Sequence, residues 1–296
     1  TIQFYAGLST HPTDDEWFAG GMQDNGSARR TGPLSWTHMT GGDGGWTQVI
    51  DTGATPIVFT ENQGTGGLYR STNGGLSFSG AGSGLTGRNC FLPPYVQDPS
   101  NPQRLLYATE RIFVSTNGGT QWTPLSGDLT AGAPAAIRAL AIAPSDPALV
   151  YAATNDGRVL VSQDSGASFD LVMTDHPGWP RVTREITVHP AEPRTAYLAT
   201  AFHGQPQVRR TTDAGQSWET LDGDLPDLPV NVIIADARCD TPALFAGTDA
   251  GIYRSINDGM NWYYFGQFPR VPVIDLILEV EGGRERLIAG TQGRGA

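Results

Sequence analysis

The sequence predicts an all-β fold, a β-propeller of four-stranded antiparallel blades. Three observations predict it. One turn motif recurs five times, its copies lie about one blade length apart, and short apolar strands recur between the copies in a fixed order. The motif is a hydroxyl residue, Asp or Asn two positions on, Gly two further, and an aromatic three beyond that. Its copies are Ser71, Asn73, Gly75 and Phe78; Ser115, Asn117, Gly119 and Trp122; Ser162, Asp164, Gly166 and Phe169; Thr211, Asp213, Gly215 and Trp218; and Ser255, Asn257, Gly259 and Trp262. Their starts are 44, 47, 49 and 44 residues apart, a period that fits one four-stranded blade.

Taken in order, a first unit lacks the motif but keeps strand patterns at 4–7, 16–19, 27–30 and 34–37. The fourth unit is the clearest. It reads as an apolar strand at 137–143, a Pro-bounded turn, a strand at 149–153, a hairpin turn through Asn155, Asp156 and Gly157, a strand at 158–161, the motif, and a fourth strand at 169–172. The sixth unit repeats that order at 232–235, 243–246, 251–254 and 262–265. Beyond it, 273–278 and 286–289 supply two strands only. The expected blades are 1–40, 41–82, 83–130, 131–178, 179–226, 227–268 and a partial unit at 269–296. This count predicts a seven-bladed ring with an incomplete last blade, with a six-bladed ring as the alternative if the final piece closes on the first unit. An unfinished blade leaves sheet edges open to pairing, so the missing strands are expected from the rest of a longer chain or from a neighbouring subunit. The first residues, Thr1 to Tyr5, carry neither an initiator Met nor a signal peptide and read as the start of a trimmed segment.

Composition narrows the function classes. The chain has 296 residues, 38 Gly and 21 Pro, which suits many turns, and in a propeller each blade packs mainly on its two neighbours. Net charge is −11 and every one of the 19 basic residues is Arg. Without lysine, Schiff-base chemistry and a phosphate-loop lysine are excluded. So acidic a chain repels a phosphate backbone and an anionic membrane surface, so neither nucleic acid nor membrane insertion is expected. Cys90 and Cys239 fall in different units outside any redox or metal motif and read as two buried thiols. His11, His38, His176, His189 and His203 show no metal-ligand spacing and no triad with Ser and Asp. No metal and no cofactor is expected.

Within the motif, the Asp or Asn accepts backbone hydrogen bonds, the hydroxyl ties the turn to itself, the Gly takes a positive φ, and the aromatic inserts between sheets. This pattern resembles the Asp-box (BNR) repeat family, found in sialidases, sortilin-type receptors, photosystem assembly factors and xyloglucan-type endoglucanases. The resemblance spans nearly the whole chain, with Asn in place of Asp in three copies. It implies a propeller whose repeated turns lie opposite the ligand face. The Gln23 to Gly26, Gly41 to Gly45 and Gly290 to Gly295 segments further resemble large secreted, glycosyl-hydrolase-like members, which implies an extracellular or cell-surface location.

Ligands of propellers bind where the loops between blades and the loops between second and third strands gather around the channel. Acids dominate those loops here. Asp24, Asp43 and Glu61 are the candidates for the carboxylate pair that glycoside hydrolysis needs; Asp beside Gly also caps turns. Trp179, with His176 and Arg181, forms a candidate sugar-stacking platform, and Phe202 with His203 a second. Arg88, Arg138, Arg184 and Arg270 lie near the starts of innermost strands, where they read as partners of the acidic loops and not as a carboxylate clamp.

The leading reading is a non-catalytic binding module of an exported or cell-surface protein, recognising carbohydrate or a protein partner through the channel-face loops. One alternative is part of a glycoside hydrolase whose carboxylate pair faces a cleft between propellers. A structural or assembly factor is the other.

Overall fold

The computed structural model describes residues 3–5, 7–11, 13–32, 35–174, 183–281 and 284–296. These form twenty-six strands and no helix. The first blade is β1 (Ser9–His11), β2 (Asp14–Met22), β3 (Gly26–Gly32) and β4 (Ser35–Thr40), and the second is β5 (Gly44–Ile50), β6 (Ile57–Asn62), β7 (Leu68–Ser71) and β8 (Ser79–Gly80). The third holds β9 (Tyr95–Asp98), β10 (Asn101–Ala108), β11 (Ile112–Ser115) and β12 (Thr123–Pro124), and the fourth β13 (Ile137–Ile142), β14 (Val150–Thr154), β15 (Val159–Ser162) and β16 (Asp170–Met173). The fifth holds β17 (Thr183–Val188), β18 (Ala196–Thr200), β19 (Val208–Thr211) and β20 (Glu219–Thr220), and the sixth β21 (Val230–Asp236), β22 (Ala243–Thr248), β23 (Gly251–Ser255) and β24 (Tyr263–Tyr264). A two-stranded hairpin, β25 (Val273–Glu281) and β26 (Arg284–Thr291), follows.

Among the described residues six four-stranded antiparallel blades are present, the six-bladed alternative of the sequence reading, each with its strands in chain order. The hairpin sits between the sixth blade and the first. There the chain closes on itself: the Phe4 amide donates to the Thr291 carbonyl at 3.1 Å, Gln3 bridges Gln292, and the Leu8 amide donates to Asp275 Oδ2 at 2.6 Å.

Each sheet-to-sheet contact has its own apolar cluster. Trp17 and Ala19 meet Val58; Phe59 and Leu68 meet Leu105 and Tyr107; Leu106 and Ile112 meet Leu140 and Ile142; Val159 and Val161 meet Ile186 and Leu198. Tyr197 and Val208 then meet Leu244 and Trp262, Val232 and Phe245 meet Val273 and Leu276, and Ile288 meets Phe4 and Leu8. A second strand has a blade neighbour on both faces, so β14 and β18 are buried at every residue. That is why they read as unbroken apolar runs instead of alternating ones.

The five repeated turns share one hydrogen-bond scheme. In the second copy, Ser115 Oγ donates to Asn117 Oδ1 at 2.9 Å and accepts the Gly119 amide at 2.9 Å, while Asn117 Oδ1 also accepts the amides of Thr120 and Gln121. In every copy the Gly has a positive φ, and so does the residue before it, Gly74, Gly118, Ser165, Ala214 or Asp258. The aromatic plugs the gap to the preceding blade: Trp122 Nε1 donates to the Ala81 carbonyl at 2.8 Å and Trp262 Nε1 to that of Leu221 at 2.9 Å. Acting as a plug, Trp262 does not join the outer strand, which shrinks to Tyr263–Tyr264 from the expected 262–265. Cys90 is buried, and burial pushes its thiol up to about 11, whereas Cys239 is exposed, contrary to the expected pair of buried thiols.

Candidate functional site

Loops from the first three blades converge at one side of the channel mouth. Asp24 occupies the β2–β3 hairpin with φ 58°, a left-handed conformation that Asp tolerates better than most side chains. Its amide donates to Asp43 Oδ1 at 2.8 Å, and the Gly26 amide donates to the Gly42 carbonyl at 2.7 Å. Sequence-predicted Asp24 and Asp43 are thus brought together, with Asp43 capping the Asp24 turn. Tyr5 stands beside them. Its phenol is pushed up by burial and then by the charges of Asp43 and Asp24. The Tyr5 ring meets Phe91 edge-on, 5.9 Å between centroids at 77°, and Phe91 is 52% exposed. Phe91 is held by its carbonyl, which accepts the Gly64 amide at 3.0 Å.

Glu61 belongs to a different layer. The innermost strand of the second blade carries a bulge, with Gly45 and Trp46 opposite Glu61 alone; bulges re-aim the chain in this way. The Trp46 amide donates to Glu61 Oε1 at 3.3 Å, Oε2 has no hydrogen-bond partner, and the residue has no exposed surface. Burial pushes its carboxyl well above the usual range. Tyr95 closes the compartment by donating its hydroxyl to the Trp46 carbonyl at 2.9 Å, and the buried Tyr107 hydroxyl lacks a partner. The expectation that Glu61 lines the channel as an accessible acid is corrected: Leu92 and the Gly45–Trp46 bulge cover it, so closely that a Cβ on Gly45 would lie 2.6 Å from Leu92 Cδ2 and 2.7 Å from Glu61 Oε1.

Phe202 and His203 lie in the β18–β19 loop, across the ring. Phe202 is 40% exposed, and His203 Nδ1 lies 3.0 Å from the Asp227 carbonyl. Asp227 Oδ1 accepts from the Gly204 amide and from Gln207 Nε2, so the loop is braced by the connection to the sixth blade. Trp179, His176 and Arg181 lie outside the described residues. Arg88 pairs with Asp128 at 3.1 Å and Arg270 stacks over Tyr264 at 4.4 Å, so these two are engaged locally. Arg138 and Arg184 occupy bulge positions in their strands.

Among the described residues no group of three His, Cys, Asp or Glu side chains could hold a metal. A groove of about 640 Å³ opens far from Asp24, between β16 and the turn before β20, lined by Leu171, Val172, Met173, Arg209, Gln216 and Trp218 among others. Its site on the outer wall keeps it apart from the channel-mouth cluster.

Two features escaped the sequence reading. One is the Tyr5–Phe91 contact, which unites a strand start and a loop two blades on. The other is a set of buried threonines at the channel ends of second strands: Thr60, Thr109, Thr154, Thr200, Thr248 and Thr291. Several tie the next hairpin, as Thr248 Oγ1 does by donating to the Gly251 carbonyl at 2.9 Å. The recurring Thr before Glu, Asn, Ala, Asp or Gln was its visible signal.

Among solved structures, the chain is similar to the GH74 xyloglucanase from Xanthomonas campestris, with 15% identity and a TM-score of 0.73 over 99% of this chain and 51% of that one. It is also similar to YCF48 from Cyanidioschyzon merolae, with 13% identity and a TM-score of 0.69 over 98% and 93%. A third is an ancestral GH74 enzyme, with 17% identity and a TM-score of 0.63 over 79% and 33%. The chain spans about a third to a half of these GH74 enzymes. At such identities the likeness shows the propeller fold. No protein-family model and no curated protein matches the sequence.

Proposed function

We propose that this chain is a propeller module, of Asp-box type, in an exported or cell-surface protein, that binds a carbohydrate at its channel mouth without catalysing its cleavage. One observation carries the reading: the exposed Phe91 ring and the Tyr5 ring meet beside Asp24 and Asp43. Sugars are held by aromatic faces under their C–H groups together with a few placed polar acceptors, and this cluster offers both. Supporting the absence of catalysis, Asp43 is committed to the Asp24 turn and Glu61 has no surface to offer a substrate.

The test is a glycan array and a polysaccharide-hydrolysis screen on the purified chain beside Phe91→Ala and Tyr5→Ala. Glycan binding lost in Phe91→Ala, with an unchanged melting temperature, is the expected result. Silence on every glycan would overturn the reading and move the weight to a protein partner. The alternative, half of a two-propeller glycoside hydrolase, is favoured by the match to 51% of the xyloglucanase. Hydrolysis that disappears in Asp24→Asn would establish it.

A further inference from the structure

Three of the five repeated turns carry Trp as their aromatic, and one of the three is seated differently. Trp122 and Trp262 are buried, and each donates its Nε1 to a carbonyl of the preceding blade, Ala81 or Leu221. Trp218 is half-buried and donates instead to the Gly215 carbonyl of its own turn at 3.1 Å. The cause lies in the fourth blade. In the other four motif-bearing blades, the amide three residues beyond the aromatic donates to the first residue of the third strand: Ala81 to Leu68, Leu125 to Ile112, Leu221 to Val208 and Phe265 to Ile252. In the fourth blade that position is Val172, the counterpart of Ala81 and Leu221, but Met173 takes the place opposite Val159 and Val172 is left as a bulge. The strand also runs on, since β16 has four residues where β8, β12, β20 and β24 have two. The Val172 side chain packs against the motif turn of the fifth blade, where a Cβ on Gly215 would lie 2.8 Å from Val172 Cγ2. Trp218 stays on the outer wall, and with Leu171 and Met173 it borders the groove of about 640 Å³.

The groove has the make-up of a small-molecule site, which is typically about 300–1,000 Å³ with apolar and aromatic walls and a few polar groups. Thr174, Gln216 and Thr220 are exposed and supply neutral donors and acceptors. Among the described residues no carboxylate lines it, although the chain carries 30 acids. Its charged member is Arg209, 9% exposed, with Nη1 3.2 Å from Met173 Sδ. Charge complementarity therefore disfavours a cationic ligand. The bulge at Val172 twists the β16 edge away from strand addition, which disfavours an extended peptide. A pyranose ring matches what is offered: a C–H face for the indole, and hydroxyls for the Gln216 amide and the two threonines.

We propose that this groove is a glycan-binding site on the outer wall, independent of whatever the channel mouth binds, which takes a neutral or uronic-acid sugar stacked on Trp218.

The test titrates the purified chain with cellotetraose, mannotetraose and tetragalacturonic acid, with an alternating Thr-Val hexapeptide as counter-probe, and follows indole N–H and methionine methyl resonances by NMR. At least one sugar is expected to shift the Trp218 Nε1–H and the Met173 methyl together and saturably; a response to the acidic sugar alone assigns a uronic-acid glycan. Trp218→Ala should weaken that binding about tenfold. Gln216 is exposed, so Gln216→Ala keeps the fold, and it should weaken binding about 2–10-fold, the loss of one hydrogen bond. Phe91→Ala, at the channel mouth, should leave both shifts and affinity unchanged. Three results would overturn the proposal: Trp218 and Met173 resonances that no sugar moves, a response to the hexapeptide alone, or shifts abolished by Phe91→Ala, which would place the sugar at the channel mouth.

Discussion

Asp43 Oδ1 accepts the backbone amide of Asp24 at 2.8 Å, which fastens the loop entering the second blade to the hairpin of the first. The bond turns two residues that look like a catalytic pair in sequence into one scaffold element with a free carboxylate edge. It needs an acceptor at residue 43 and no charge. Asp43→Asn is therefore expected to keep the latch, whereas Asp43→Ala loses about 0.5–1.5 kcal/mol, the net worth of one hydrogen bond. Urea unfolding of both variants checks this, and equal losses would mean that charge holds the turn.

Glu61 makes stability depend on pH. Its carboxyl is raised by burial, so between its ordinary value of 4.5 and its folded value the native state binds more protons than the unfolded chain. Stability contributed by this group is then present below about pH 4.5 and falls as pH rises through that window. Glu61→Gln keeps the acceptor for the Trp46 amide and removes the charge. Melting temperatures from pH 4 to pH 9 should show the variant gaining on the parent as pH rises, and a constant difference would count against a neutral, buried Glu61.

The architecture was readable because a propeller repeats one local solution, and a Gly with an aromatic three residues later marks each copy. The left-handed residue before that Gly was not readable, since Ser165, Ala214 and Asp258 share no chemistry that announces a positive φ. The channel mouth was half readable. Asp24 and Asp43 are turn residues by local sequence, but the cover over Glu61 comes from a bulge in one strand and a leucine in the next loop. Tyr5 and Phe91 meet only because two distant segments share one rim, and such contacts leave no periodic trace.

The repeated turns should divide into two classes in acid. Asp164 and Asp213 are held down to about 2, first by the hydroxyls of Ser168 and Ser217 and then by the amides of the same residues. Their contribution is complete above the ordinary value of 3.8 and is lost as pH falls towards about 2. Asn73, Asn117 and Asn257 fill the same role without a titrating group. A carboxyl-carbon NMR titration should give midpoints near the depressed value for Asp164 and Asp213. The paired change Asp164→Asn and Asp213→Asn should flatten the acid limb of the stability curve while leaving neutral stability almost unchanged.

Gly119 and Gly118 are both left-handed, at φ 76° and 66°, yet they differ in surroundings. A Cβ on Gly119 would lie 2.5 Å from Phe59 Cζ, in the packed contact between the second and third blades, whereas one on Gly118 meets nothing closer than the flexible end of Gln103 at 3.0 Å. Gly118→Ala should therefore cost only the left-handed backbone, about 1–2 kcal/mol, a conformation Ala214 already adopts in the fourth copy. Gly119→Ala adds overpacking, typically a further 1–3 kcal/mol. The excess is assigned by a double-mutant cycle with Phe59→Leu, which shortens the opposing side chain. Coupling that makes the double variant less destabilised than the sum of its parts is the expected outcome; strict additivity would show that the Phe59 ring moves aside freely and that the glycine is required for its φ alone.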